Sequence, residues 1–345
     1  MLRARRVPQL SVMVSLRRLV MAVLPALVAC NSIVGFGDLQ KVSPIEEEED
    51  DDDGSTMPGK SDSGKTDSGG GNTDGPLPGA KCDLSKPFDP PVALPGPVNS
   101  AAFEVAPSLM KNELAIVFQR TVGPEGGSMM LATRTSVDVP FGEPVELTAL
   151  AQGLDAIQQP TMTSDGLLLF FIGLRGPDAG IFTASRASPA GEFTNRRRAD
   201  ELRWNGNVSF PALTPNGAEV WFSVDPGVGD PRHFFRSVRD NLGSYGASSP
   251  VNELTSPLSE AGIAFSEDGL TVYFGSERAG GKGLSDIWTA SRPSMAEPFG
   301  TARVVQELNA PGDDYPGWLS ADGCRLYFGS DRSGDGDIFV ATRAP

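Results

Sequence analysis

Carboxylates are the residues of this chain best placed to do chemistry. Asp155, Glu260, Asp313 and Asp314 each stand just ahead of an apolar run. Two carboxyls held about 5–10 Å apart across a funnel can act as acid and nucleophile, or acid and base, on a glycosidic bond. Their spacing singles out no such pair, and acids in turns more commonly bond the loop backbone. A second group, Asp331, Asp335 and Asp337, alternates with Gly and Ser in SDRSGDGDIF. That density suits a hard cation, but no glutamate follows at the spacing an EF-hand loop requires. His233 is the single histidine, so a His-based metal cluster has no second ligand, and no Ser–His–Asp constellation is indicated. Arg120, Arg175, Arg278 and Arg332 recur after apolar runs, which predicts a repeated arginine–carboxylate bond that pins each loop. The expectation is no catalytic residue, no metal and no cofactor.

The elements that carry these residues repeat. Turn signals fall at Asp165-Gly166, Asn216-Gly217, Asp268-Gly269 and Asp322-Gly323, where Gly tolerates positive φ and Asp or Asn bonds its own backbone. Arginines that end a strand fall at Arg134, Arg186, Arg239, Arg292 and Arg343, with gaps of 52, 53, 53 and 51. An aromatic opens a further strand at Phe88, Phe141, Phe193, Tyr245 and Phe299, with gaps of 53, 52, 52 and 54. Three markers sharing one period predict a repeat protein. Each unit holds four short strands: in the fourth, an inner strand over Gly262 to Ser266, then Leu270 to Gly275, Asp286 to Arg292 and an outer strand from Phe299 to Leu308. Four-stranded units of roughly 40–50 residues read as blades of a β-propeller. The stretch from Asp83 to Pro345 holds five periods, so the predicted fold is all-β, a five-bladed propeller.

The register also predicts how the ring closes. The segment from Phe88 to Val98 precedes any inner strand, and the last unit stops after its third strand. Pairing the two gives the last blade its outer strand and removes two open edges. Cys324 opens the second strand of that blade, and Cys82 aligns with the end of the third, beside Ala344. The two thiols meet at the seam, which predicts a disulfide closing a loop long enough to be worth roughly 5 kcal/mol in the chain-entropy model.

Residues 1–29 and 30–81 stand apart from the repeat. Arg17 and Arg18 precede an apolar run, Leu19 to Ala29, too short to span a bilayer. It ends Leu27-Val28-Ala29-Cys30, which resembles the lipobox of bacterial lipoproteins and implies cleavage before Cys30 and its lipidation. Glu46 to Asp53 is an unbroken acid run, and Gly54 to Gly79 is Ser, Gly, Asp, Thr and Pro with little apolar bulk. Such a segment is expected to remain a solvated tether with a reach on the order of 40 Å. The propeller then occupies 82–345. The 345-residue chain has 29 Lys plus Arg against 44 Asp plus Glu, a formal net charge of −15. That disfavours nucleic acid, whose phosphates demand a basic patch.

Leu319-Ser320-Ala321-Asp322-Gly323, Leu326-Tyr327-Phe328-Gly329-Ser330-Asp331-Arg332 and Asp337-Ile338-Phe339 resemble the WD-like repeat of TolB-type β-propellers. The fourth unit matches from Phe265-Ser266 to Trp288, and the first, with Asn112-Glu113 at its turn, matches least. The resemblance spans roughly 83–345. It implies a periplasmic or envelope protein that binds others through the ring's faces and channel, and it carries over no catalytic residue. TolB itself has six such blades and an extra domain, so a Tol-type partner is not implied. The expected partner is an envelope protein or a glycan, with the membrane reached through the lipid anchor only and the outer membrane favoured by Asn31 after Cys30. Binding is expected on the loops that lead into each inner strand, at Trp204, Asn205, Glu260, Asp313, Asp314 and Tyr315. The rival expectations are a glycosidase with funnel carboxylates and a structural surface component.

Overall fold

The computed structural model describes residues 82–122, 126–175, 180–204, 206–227, 230–241 and 243–345. The expected signal, the lipidated Cys30, the tether and Asn205 lie outside the described residues. Twenty strands form five four-stranded antiparallel sheets, the blades of the propeller. The chain first lays down β1 (Val92–Ala93), then blade 1 as β2 (Phe103–Leu109), β3 (Ala115–Thr121), β4 (Gly127–Thr133) and β5 (Val145–Glu146). Blade 2 is β6 (Ala156–Met162), β7 (Leu168–Leu174), β8 (Gly180–Ser185) and β9 (Thr194–Arg198). Blade 3 is β10 (Asn207–Leu213), β11 (Glu219–Asp225), β12 (His233–Val238) and β13 (Ser249–Pro250). Blade 4 is β14 (Glu260–Phe265), β15 (Thr271–Ser276), β16 (Asp286–Ser291) and β17 (Arg303–Val304). Blade 5 is β18 (Asp314–Leu319), β19 (Arg325–Ser330) and β20 (Asp337–Thr342), completed by β1 on the edge of β20.

The outer strands are shorter than the sequence predicts. Phe299 to Leu308 yields only the two residues of β17 and a 3₁₀ turn at Gln306–Leu308. The reason is that Phe299 and Leu308 point inward to fill core rather than extend the ladder.

Alternation explains why second strands read as unbroken apolar runs. Successive side chains of a strand face opposite ways, and here both faces are covered by a neighbouring blade. Leu169 and Phe171 of β7 enter the core shared with blade 1, while Phe170 and Ile172 enter the core shared with blade 3. Val272 and Phe274 of β15 face blade 3, and Tyr273 faces blade 5. Five apolar clusters result, one at each blade–blade interface. Each fully buried aromatic there contributes on the order of 2–3 kcal/mol.

The turn motif closes on itself. In blade 4 the Ser266 hydroxyl donates to Asp268 (2.6 Å) and accepts from the Thr271 amide (2.8 Å), while Asp268 accepts from the Leu270 amide (2.9 Å). The same bonds recur at Thr163–Asp165, Thr214–Asn216 and Ser320–Asp322. Gly269 takes φ +68°, which a side chain resists. The strand-ending arginines and the recurrent aromatics prove to be one interaction. Arg134, Arg186 and Arg292 each lie 4.4 Å over Phe141, Phe193 and Phe299, and Arg343 lies 3.9 Å over Phe88. Blade 3 differs: there the Tyr245 hydroxyl donates to Gly217 O at 3.0 Å.

At the seam, Asp83 N donates to Ala344 O (2.9 Å) and Asp89 N to Thr342 O (2.7 Å). Cys82 and Cys324 are joined by a disulfide with Cα atoms 5.7 Å apart. Blade 1 meets blade 5 through Glu113, which takes the glycine place in its turn at φ +59°. Its carboxylate accepts from Arg325 Nη2 (2.6 Å), Arg325 Nε (2.8 Å) and the Tyr327 hydroxyl (2.8 Å).

Candidate functional site

The inner strands begin on one face of the ring, and three carry a fully buried carboxylate as their first or second residue: Glu104, Glu260 and Asp314. Each is latched to an arginine at or just past the end of the second strand of its own blade. Arg120 Nε meets Glu104 at 2.7 Å, Arg278 Nη2 meets Glu260 at 3.2 Å and Arg332 Nη2 meets Asp314 at 2.6 Å. The same guanidinium groups donate to loop carbonyls, Arg278 to Leu254 O (2.6 Å) and Arg120 to Val98 O (2.8 Å). The backbone of each carboxylate residue also reaches the preceding blade: Glu260 N to Arg232 O (2.8 Å), Asp314 N to Ser285 O (2.8 Å) and Glu104 N to Gly336 O (2.9 Å). These acids pin loops and join blades, which leaves little of them for a ligand. In blade 2 the Arg175 guanidinium bonds Gly153 O instead (2.7 Å), and the Asp225-Pro226 end of β11 in blade 3 has no such arginine.

His233 belongs to the same seam. Its Nδ1 lies 2.8 Å from Glu260 Oε2, at the place where blades 4 and 5 carry Asp286 and Asp337. Trp204 lies against Phe235, with ring centroids 4.3 Å apart and planes tilted by 46°, and packs against the core between blades 2 and 3. Burial against that core accounts for much of the indole.

Tyr315 stands differently. It lines the central channel, where its ring stacks on Phe210 with centroids 5.4 Å apart and planes 30° from parallel. The pair spans from blade 5 to blade 3 across blade 4. That crossing needs Gly275, where a Cβ would fall 3.1 Å from the Tyr315 ring, and Gly262, where one would fall 2.9 Å from Pro316 O. Every inner strand carries a bulge here. The bulges at Ala106, Gln159 and Phe210 take φ of +55°, +52° and +49°. Left-handed backbone in non-glycine residues costs of order 1–3 kcal/mol and persists only where its surroundings hold it. Here the preceding blade holds it: Gln119 Oε1 accepts from Gln159 N (3.2 Å), and Gln159 Oε1 accepts from Phe210 N (2.9 Å).

Phe210 was absent from the sequence expectations. Its signal was the dipeptides Ala106-Pro107, Gln159-Pro160, Phe210-Pro211 and Tyr315-Pro316, which recur with the blade period.

Two cavities flank this belt. One of about 20 Å³ is walled by the bulges, with Pro107, Pro160, Phe210 and Tyr315 among its residues and no carboxylate. The other, of about 40 Å³, lies toward the turns, where Lys111 and Glu267 form an ion pair. Ligand clefts run to roughly 300–1,000 Å³, so both have room for water and not for a sugar ring.

Above the aromatic pair the charge is lopsided. The Tyr315 hydroxyl donates to Asp313 Oδ1 at 3.3 Å, and Asp313 N donates to Asp331 Oδ1 at 2.9 Å. Burial raises the Asp313 pKa above the ordinary carboxylate value, and Asp331 and Glu277 push it the same way. Burial, with Asp313 beside it, likewise raises the Tyr315 hydroxyl. Arg232 is the cation within electrostatic reach of Tyr315. Among the described residues, no group of three or more His, Cys, Asp or Glu is placed to hold a metal ion. No helix among them is long and apolar enough to cross a membrane.

No protein-family model matches the chain, and no curated protein matches it. Solved structures do. TolB from Acinetobacter baumannii is similar at 13% identity, with 70% of this chain and 56% of that one covered and a TM-score of 0.44. A putative glycoside hydrolase from Parabacteroides distasonis is similar at 12% identity, covering 73% and 95%, with a TM-score of 0.49. The catalytic domain of a Coprinopsis cinerea GH62 α-L-arabinofuranosidase gives 12%, 74% and 96%, and 0.48. The chain thus spans just over half the length of that TolB. At these identities and TM-scores the likeness decides neither family nor function; the propeller is read from the five sheets themselves.

Proposed function

We propose that the ring is a non-catalytic binding module of the bacterial envelope, held to the membrane through a lipid on Cys30, which takes a protein or glycan on the face where the inner strands begin. One observation carries this reading. Three carboxylates of that face are tied up in arginine latches, while the channel mouth presents the Phe210–Tyr315 pair in a wall free of carboxylates. Aromatic side chains give contact area at low entropic cost. A second reading, hydrolysis of a glycosidic bond, draws on Asp313, whose raised pKa beside Asp331 suits a general acid. Crosslinking and capture from detergent-solubilised envelopes, with the full lipidated chain, separates the two. A stoichiometric partner that is lost with Tyr315→Ala is the expected result. Release of sugar from glycoside substrates, abolished by Asp313→Ala, would overturn it.

A further inference from the structure

Blade 2 departs from its sisters at the rim of the face where the inner strands begin. Blades 1, 4 and 5 each close an arginine on a buried acid of their own: Arg120 on Glu104, Arg278 on Glu260 and Arg332 on Asp314. Blade 2 opens its inner strand with Ala156 instead. Backbone of blade 1 closes on that place, since a Cβ on Gly126 would fall 2.7 Å from the Ala156 Cβ. Arg175 turns to Gly153 O. Arg196, on the outer strand β9, reaches the same loop, where its Nη1 donates to Leu150 O and Gln152 O, both at 2.7 Å. Two guanidinium groups thus stand on the carbonyls of consecutive residues. Among the described residues neither forms an ion pair, and their Nε and Nη2 atoms make no bond within the protein and are not shut away from solvent.

The sister blades show what such an arginine takes. Its partner there is a carboxylate, in a charge-assisted bond stronger than one to a neutral acceptor. In blade 2 the partners are carbonyls, which fix the two side chains and leave their charge unmatched. Side chains held in advance lose less entropy when a ligand arrives. The spacing points to the kind of ligand. Carbonyls of consecutive residues, each with an Nη1 at 2.7 Å, put the two guanidinium groups within roughly 10 Å of each other. Alternate side chains of an extended peptide stand on one side, about 7 Å apart, so two carboxylates so placed match the interval. Gln152 and Gly153 are exposed, which presents the pair on an open rim suited to an extended chain.

We infer that the rim of blade 2 docks an acidic segment of a partner protein, two carboxylates at alternate positions of an extended stretch pairing with Arg175 and Arg196. This site lies apart from the channel mouth, because β9 is the outer strand of its blade, and it does not rest on the reading of that mouth. The net charge of −15 opposes an acidic partner at long range, where charges more than about 8 Å apart are largely screened at physiological ionic strength. The two guanidinium groups act at contact.

The probe is a fluorescein-labelled heptapeptide of glycine and serine with glutamate at its third and fifth positions, titrated by anisotropy into the full-length protein beside a form with glutamine at both places. The glutamate form should bind at least tenfold more tightly, and Arg175→Gln or Arg196→Gln should each erase most of that preference. Arg303→Gln, which removes an exposed arginine from the outer strand of blade 4, should leave it unchanged. A measurement on the unaltered protein stands in for any variant that loses its fold. The glutamate peptide should protect Arg175 and Arg196 from phenylglyoxal, read by mass mapping, while Arg303 stays reactive. Equal binding of the two peptide forms, protection that misses Arg175 and Arg196, or a preference that survives both substitutions would each overturn the inference. Tighter binding of trigalacturonate than of the glutamate peptide would also overturn it, by handing the rim to an acidic glycan.

Discussion

Substituting Glu113 separates two effects that the seam superimposes. This residue stands where the other turns have glycine, at φ +59°, and its side chain is the main ionic tie between blades 1 and 5. Removing one partner of a buried ion pair costs about 3–5 kcal/mol when the other stays buried. The Arg325 side chain is 32% exposed and can rehydrate, whereas Tyr327 is 2% exposed and cannot. The loss for Glu113→Ala is therefore roughly 2–3 kcal/mol. Glu113→Gly loses the same contacts but escapes the left-handed penalty of about 1–2 kcal/mol. The greater freedom of glycine in the unfolded chain returns about 0.4–1 kcal/mol of that. Glycine should thus be the milder substitution by a little under 1 kcal/mol. Urea unfolding of both variants with the disulfide intact measures the difference. A glycine variant less stable than the alanine variant would refute the claim that strain is stored at this turn.

Three further outcomes follow from the same geometry. Arg332→Met leaves Asp314 buried and unpaired, so it should cost about 3–5 kcal/mol in urea unfolding, more than Asp314→Asn, which keeps an acceptor for Arg332 and the Ala310 amide. Folding buries Asp313 and raises its pKa above the ordinary 3.8, so this group's contribution weakens as pH rises from there through the folded pKa. Asp313→Asn should accordingly stabilise the protein at pH 7 relative to pH 4, the opposite sign to Asp268→Asn. The Asp268 pKa is lowered, chiefly by the Ser266 hydroxyl and the Leu270 amide, so its contribution is full above 3.8 and fades as pH falls through the folded pKa. Cys82→Ser with Cys324→Ser opens a closure of 242 residues in separation and should cost about 5 kcal/mol by chain entropy, seen as a reductant-insensitive drop in the urea midpoint.

The repeat was legible because each marker is a local contact with one chemical cause. Asp268-Gly269 had to turn, and Arg292 and Phe299 recur together because one lies over the other. The first blade read as degenerate for the opposite reason. Glu113 answers to Arg325, a residue on the far side of the seam, and no local rule shows that. Glu260 and Asp314 read as loop acids and also as contact residues; Arg278 and Arg332 were expected to pin loops through a carboxylate, but which acid each one claims was not legible. Trp204 looked like a contact by residue type, whereas Phe235 and the core between blades 2 and 3 occupy much of its surface. Phe210 went unseen because its role depends on a bulge, and a bulge shows in sequence only through the recurring proline that follows it.

The stapled seam also sets how the ring meets a pulling load. Without the disulfide, a force arriving along the chain from residue 81 would load in turn the Asp83–Ala344 and Asp89–Thr342 backbone bonds and then β1, a two-residue strand held by the edge of β20. Such an edge unzips one bond at a time. Cys82 intercepts the load one residue before it enters the ring and hands it to Cys324, at the threshold of β19 in the interior of the blade. There the tension falls on a strand flanked on both sides, whose ladders must shear together. The covalent cross-link thus acts as a strain relief for the weakest edge of the ring, as a knot protects the last stitch of a seam.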